Sequence, residues 1–301
     1  MCRAWQTIQT RESEMFEGFE LRTVDVDSGP IRVRTGGSGP PLLLLHGHPR
    51  THTTWHRVAS HLCDRYTTVC PDLPGFGRSF QPVDAAGHVN SSKRAKARAL
   101  VELMSGLGHR TFYVAGHDRG SYTAFRMAMD HPSRVLKLAV LDGVPIIEAL
   151  ERCRSEFATR WWHWFFYAQP EKPERAINAD PLAWYGGSPV EMGEENFIDF
   201  LAAISDPETV HGMLEDYRAG LGIDADHDHE DRDAGRKITC PVFAVWSQND
   251  DLPDLYGDVV AVWKGWATNV RGTSIPSGHH MAEDAPQELA AALHGFFDEA
   301  R

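Results

Sequence analysis

From Leu21 the chain alternates two short β-rich runs, LRTVDV and IRVRTG, before the apolar PLLLLHG of Pro41 to Gly47. A short continuous apolar run bounded by turn residues predicts a strand buried on both faces. The next strand is predicted at TTVCPDLPG, Thr67 to Gly75. Between them, THTTWHRVASHLCDR places Trp55, Val58, Ala59 and Leu62 at helical spacing, so a helix crosses over and the two strands run parallel. KRAKARALVELMSGLGH then reads as helix, TFYVAGH as strand, SYTAFRMAMDHP as helix and VLKLAVLDGVP as strand. This alternation predicts an α/β fold with a mostly parallel, doubly wound sheet.

The rhythm breaks between 148 and 236, where Trp, Phe, Pro and acidic residues crowd together, and resumes with CPVFAVWSQND and a final helix, QELAAALHGFFDEA. An insertion at that point predicts a helical cap over the carboxyl ends of the strands. The organisation expected is a tail at 1–20, the first part of the core at 21–147, the cap at 148–236 and the second part of the core at 237–301. Met15 is a candidate natural start. Within the cap, DADHDHEDRD offers His227 and His229 to a metal, but a solvated acidic loop is the preferred reading.

Composition narrows the partners. A net charge of −12 argues against nucleic acid and acidic membranes, which call for a basic patch. Five cysteines, Cys2, Cys63, Cys70, Cys153 and Cys240, lack CxxC spacing, so neither a disulfide framework nor a zinc site is expected, and a reducing cytoplasm is the simplest compartment. No apolar run approaches the ~20 residues of a membrane span, and no signal peptide is recognised.

The chemistry concentrates around Ala115-Gly-His-Asp-Arg-Gly-Ser121, which follows a predicted strand and opens a predicted helix. Gly116 and Gly120 flank Asp118 at two residues either side, as a sharp strand-to-helix turn requires. Such a turn lifts the central side chain above the sheet and aims backbone N–H groups and a helix N-terminus at it. The alternative is that Asp118 only caps the helix. His46-Gly47-His48-Pro49, ending the apolar strand, is placed to supply an oxyanion N–H from His48, with the other from Arg119. Asp72-Leu-Pro-Gly-Phe-Gly-Arg-Ser79 and Ser277-Gly-His-His-Met-Ala-Glu283 follow. In this order the four segments resemble the landmarks of the α/β-hydrolase fold.

An aspartate in the nucleophile position points away from esterases, because attack on a carbonyl would give a mixed anhydride. A carboxylate suits displacement at saturated carbon, giving an alkyl ester that a histidine-activated water hydrolyses. Dehalogenation and epoxide opening remain. The base is expected after the last strand, where His279 and His280 compete. GHxxxE followed by Pro286 resembles the family pattern with His279 as the base and His280 as a structural residue. Asp142, ending VLKLAVLDG, and Asp250, after VFAVWSQN, are both placed to orient that imidazole.

HGHPRTHTTWHRVA, GHDRG with RMAMDHP, LDGVP, WHWFFYAQP, EDYRAGLGID and SGHHMAEDAP together resemble the fluoroacetate (haloacetate) dehalogenases, over Leu21 to Leu293. The resemblance implies that His163, Trp164 and Tyr217 of the cap bind the departing halide and that Asp142 precedes Asp250 as the triad acid. It also implies that the substrate carboxylate is held by Arg119 and by the residue three further on. In the family that second residue is usually arginine, whereas here it is Tyr122, a neutral donor without the fork and charge of a guanidinium. Without the resemblance, WWHWFFY reads as an aromatic core stripe.

Three functions are therefore open. The first is a dehalogenase of haloacids. The second is an epoxide hydrolase using the same nucleophile and base, in which Tyr217 with Tyr167 or Tyr185 protonates the opening oxygen. The third is a binding protein on the same fold, disfavoured because every triad position is filled. No cofactor and no metal are called for, the partner is a small-molecule substrate, and a homodimer is expected by analogy of fold alone.

Overall fold

The computed structural model describes residues 15–299. Eight strands form one sheet: β1 Glu20–Val26, β2 Gly29–Gly36, β3 Pro41–Leu45, β4 Thr67–Pro71, β5 Phe112–His117, β6 Val135–Leu141, β7 Val242–Ser247 and β8 Val270–Ile275. The helices that frame the site are α1 His56–Leu62, α2 Lys93–Gly106, α3 Arg119–Asp130, α4 Trp162–Tyr167, α5 Glu194–Ile204, α6 Pro207–Ala219 and α7 Pro286–Phe297.

Across the sheet the order is β1-β2-β4-β3-β5-β6-β7-β8. β2 pairs antiparallel with β1 and β4, and the remaining neighbours are parallel. The two-residue period of a strand sends alternate leucines of β3 to opposite faces. Leu42 and Leu44 pack with Val58 and Leu62 of α1 and Leu289 and Leu293 of α7, whereas Leu43 and Leu45 join Leu100 and Leu103 of α2 and Phe125 of α3. Helices therefore cover both faces, as a wholly apolar central strand requires. After β4 the chain crosses to β5 on the far side of β3, so the winding reverses there and a crevice opens beyond the carboxyl ends of β3 and β5.

Three details differ from the sequence reading. β8 was not singled out as a strand: VRGTSI is an edge strand with little apolar patterning, and parallel pairing with β7 holds it. The expected acidic loop is instead a helix, Ala225–Asp233, because Asp228 and Asp231 turn inward to Arg126, at 3.1 and 2.5 Å from its Nη2. Residues 1–14 of the expected tail lie outside the described residues, and so does Cys2. Phe16, in that same segment, is buried with Arg34 over its ring and Phe19 beside it.

The cap lies between β6 and β7, and its helices run from Ile146 to Asp233. It is fastened to the core by buried polar groups. Asp199 of α5 accepts from Arg32 at 2.7 Å and from Thr51 at 2.6 Å. Glu283 accepts both arms of the Arg50 guanidinium at 2.9 and 3.1 Å, the Thr54 hydroxyl at 2.8 Å and Asn196 of α5 at 3.0 Å. Among the described residues no helix is long and apolar enough to cross a membrane.

Truncating one member of a buried ion pair leaves the other charged and unpaired. Glu283→Ala is therefore expected to destabilise the protein by about 3 kcal/mol, read as a lowered urea midpoint. An unchanged midpoint would show that the fastening contributes nothing.

Candidate active site

Asp118 sits between β5 and α3 with φ +50° and ψ −120°, a conformation that side chains rarely adopt. Crowding around it explains its glycines. A Cβ on Gly116 would lie 2.3 Å from the Gly120 carbonyl oxygen, and one on Gly120 would lie 2.4 Å from that of His46. One on Gly47 would meet the Asp118 carboxylate itself at 2.5 Å. The turn is thus closed over β3 so tightly that only hydrogen fits. The carboxylate makes no capping bond to α3, and Oδ1 instead accepts the His48 N–H at 2.7 Å. Burial by itself would raise the Asp118 pKa, but the charges of His279, His117 and Arg119 and the His48 N–H hold it below the ordinary carboxylate value.

His279 faces this carboxylate, its Nε2 3.9 Å from Asp118 Oδ2. Its Nδ1 is held by two acids. The shorter contact is to Asp250 Oδ2 at 2.9 Å, and Asp142 Oδ2 lies at 3.5 Å. The order implied by the resemblance, Asp142 before Asp250, is not the order of these distances. Asp142 is anchored by the Ser247 N–H at 2.8 Å and by the Ser247 hydroxyl, whose oxygen also lies 2.7 Å from the Gly278 carbonyl. His117 donates from Nε2 to the His279 carbonyl at 2.7 Å, bracing the loop from below. Burial opposes the imidazolium form of His279, but hydrogen bonds to Asp142 and Asp250, with the charge of Asp118, push its pKa well above 6.5. His280 lines the same cavity, and burial followed by the charge of Arg50 drives its pKa well below that of a free histidine, so it remains neutral.

The cavity holds about 370 Å³ and is lined by Asp118, Asp142, Asp250 and His279 together with His48, His163, Trp164 and Tyr217. Asp118, His279, His163, Trp164 and Tyr217, which the sequence reading singled out, thus line one space. Burial lowers the pKa of His163 to about 4, leaving a neutral ring that can donate one N–H. His48, read from the sequence only for its backbone, also presents its ring, boxed by Tyr167, Tyr185 and Tyr217 with centroids 5.2 to 5.3 Å away.

Arg119 and Tyr122 sit differently from the expectation, since neither belongs to the lining. Arg119 is fully buried, with Nε 2.5 Å from Asp216 Oδ2, Nη2 2.9 Å from the Asp216 carbonyl, and its guanidinium stacked 4.1 Å from the centre of Tyr217. Among the described residues its Nη1 has no hydrogen-bond partner. Tyr122 lies edge-on to Trp164 behind it. The sequence reading missed Asp216, which commits this guanidinium, although EDYRAG places it beside Tyr217. It also missed Trp161 and Trp184 in the cavity wall, which only the folding of the cap brings there.

His117, Asp142 and His279 have ligand atoms within 4.8 Å of one another, a metal-like spacing. The same three side chains make hydrogen bonds within the protein, His117 to the His279 carbonyl, Asp142 with Ser247 and His279 with Asp250. The arrangement offers a fixed carboxylate able to attack carbon, an imidazole able to move a proton, and neutral donors opposite.

Such a combination on this sheet defines a hydrolase of the α/β type. The family model of the alpha/beta hydrolase fold matches residues 40–285, and the chain belongs to that family. It is 42% identical over 296 residues to the fluoroacetate dehalogenase of a Burkholderia species, covering 95% of this chain and 96% of that one. To the soluble epoxide hydrolase of Corynebacterium sp. (strain C12) it is 30% identical over 300 residues, covering 96% and 97%. The solved structure of an alpha/beta hydrolase-fold protein from Nostoc sp PCC 7120 superposes with TM-score 0.89 at 40% identity, covering 94% of this chain and 99% of that one.

Since the Asp118 charge helps raise the His279 pKa, Asp118→Asn is expected to lower it, read by NMR titration of the imidazole; an unmoved pKa would mean that the two groups are not coupled. The same linkage has a sign. Stability contributed by the raised pKa is fully present below about 6.5 and is lost as the pH climbs through the higher folded-state value.

Proposed function

We propose that the protein is a hydrolytic dehalogenase of small haloacids, of the haloacetate type. The observation that carries this reading is the convergence of Asp118, His279 and the donors His163, Trp164 and Tyr217 on one cavity. One Asp118 oxygen attacks the carbon bearing the halogen; its lone pair forms the C–O bond while the C–X pair leaves with the halide. Fluoride and chloride leave as anions, so the N–H groups of His163 and Trp164 and the O–H of Tyr217 take up the charge as it develops.

Ester formation removes the negative charge of Asp118. His279 loses one of the three carboxylates that held its proton, its pKa falls, and the neutral imidazole becomes available as a base. It takes a proton from water, the hydroxide adds to the ester carbonyl, and the His48 N–H, already aimed at this group, stabilises the oxyanion. Collapse releases the hydroxyacid and regenerates the Asp118 carboxylate. The balance is haloacid plus water giving hydroxyacid, halide and a proton. Asp142 and Asp250 share the task of orienting His279.

Epoxide opening is the second reading. It is favoured by the absence of Arg119 from the cavity lining and by the three tyrosines Tyr167, Tyr185 and Tyr217 that are present there. The same alkyl-enzyme chemistry would follow, with a phenol protonating the ring oxygen.

Incubation with fluoroacetate, chloroacetate and styrene oxide separates the two. Halide release that Asp118→Asn reduces at least a thousand-fold is expected; diol without halide would establish the epoxide reading, and undiminished turnover in the variant would remove Asp118 from the chemistry. His279→Ala is expected to accumulate the ester, seen as an added carboxymethyl mass on the intact protein. If His280→Ala accumulates it instead, the base is the neighbouring residue.

A further inference from the structure

Behind the Tyr217 wall of the cavity lies a cluster of buried charges that the mechanism does not use. Lys93 and Lys96, three residues apart on α2 and so on one face of it, are only 2% and 1% exposed. Lysine is almost never buried unless paired, and here two share one acid. Lys96 Nζ lies 2.5 Å from Asp216 Oδ1 and Lys93 Nζ 3.0 Å from the same oxygen, while Lys93 also lies 3.3 Å from Asp224 Oδ2. Arg119 occupies the other oxygen of Asp216. Three cations, Lys93, Lys96 and Arg119, thus meet two carboxylates, Asp216 and Asp224, and one positive charge remains (3 − 2 = 1).

That surplus sits at the Tyr217 wall, where the Arg119 guanidinium stacks and keeps Nη1 unpartnered. Asp216 alone would neutralise Arg119. Because the lysines share that carboxylate, Asp216 does not offset the charge of Arg119 by itself, and the further carboxylate that bears on Arg119 is Asp118, on the cavity side. Tyr122, beside Arg119, contributes no charge of its own.

We propose that Lys93 and Lys96 are positioning residues for specificity: by sharing Asp216 they keep that acid from offsetting the charge of Arg119 by itself, and this makes the cavity select small carboxylates over neutral molecules of the same shape. The inference rests on the haloacid reading and names what would enforce it. Removing either amine brings the cluster to zero (2 − 2 = 0), with a loss of anion preference. Lys93→Met leaves Asp224 still accepting the backbone N–H of residue 93 at 2.8 Å, so both lysines are usable sites for a test.

The test compares a charged and a neutral isostere in the intact protein. Binding of glycolate and glycolamide is followed by the fluorescence of the cavity tryptophans, and halide release from chloroacetate and chloroacetamide gives KM and kcat. Lys96→Met and Lys93→Met are each expected to weaken glycolate binding and raise the chloroacetate KM about ten-fold, with the neutral partners unchanged within two-fold and Lys96→Arg restoring the anion preference. Equal shifts for both members of a pair would reduce the lysines to a structural role and overturn the inference. So would a wild-type protein that binds glycolate no better than glycolamide. Absence of halide release from either substrate would instead sink the dehalogenase reading, while the binding comparison still decides the role of the lysines.

Discussion

The bend at Asp118 is the constraint on which the site depends. A left-handed backbone at a non-glycine residue is strained, and it persists only where the surroundings leave no alternative. Here Gly47, Gly116 and Gly120 let β3, β5 and α3 close to distances at which any Cβ would collide. The carboxylate consequently cannot satisfy itself on its own helix, and it takes the His48 N–H from the neighbouring strand loop. Carboxylate and His48 N–H are thus preorganised together by the sheet, without cost at the moment either is used.

Around that point the charges are arranged in opposition. On one side His279 is surrounded by Asp118, Asp142 and Asp250, so the resting site holds the imidazole as a cation. On the other, the buried cations gathered at Asp216 exceed their acids. The Asp118 carboxylate faces both sides, its charge raising the pKa of His279 and bearing on Arg119.

The cap closes this system from above. Its aromatic residues form the wall and its acids hold core arginines, so apolar and ionic contacts act at the same interface. Asp199 and Asn196 of α5 reach Arg32, Thr51, Thr53 and Glu283, and Asp216 of α6 reaches Arg119. The cap therefore fixes where Arg119 points as well as covering the cavity.

The sequence by itself determined the elements with strong periodicity and the residues tied to a local pattern. The apolar run of β3, the glycine-flanked Asp118 and the GHH segment were legible because strand burial, a tight turn and a loop after a strand each impose their rule within a few neighbouring residues. The resemblance carried His163, Trp164 and Tyr217 to the cavity. Tertiary structure decided what depends on residues far apart in the chain: that Asp250 approaches His279 more closely than Asp142, that an acidic stretch folds as a helix against Arg126, and that Arg119 is turned to Asp216, 97 residues away. No local pattern encodes such choices, since a buried charge takes whichever partner the packing brings within reach.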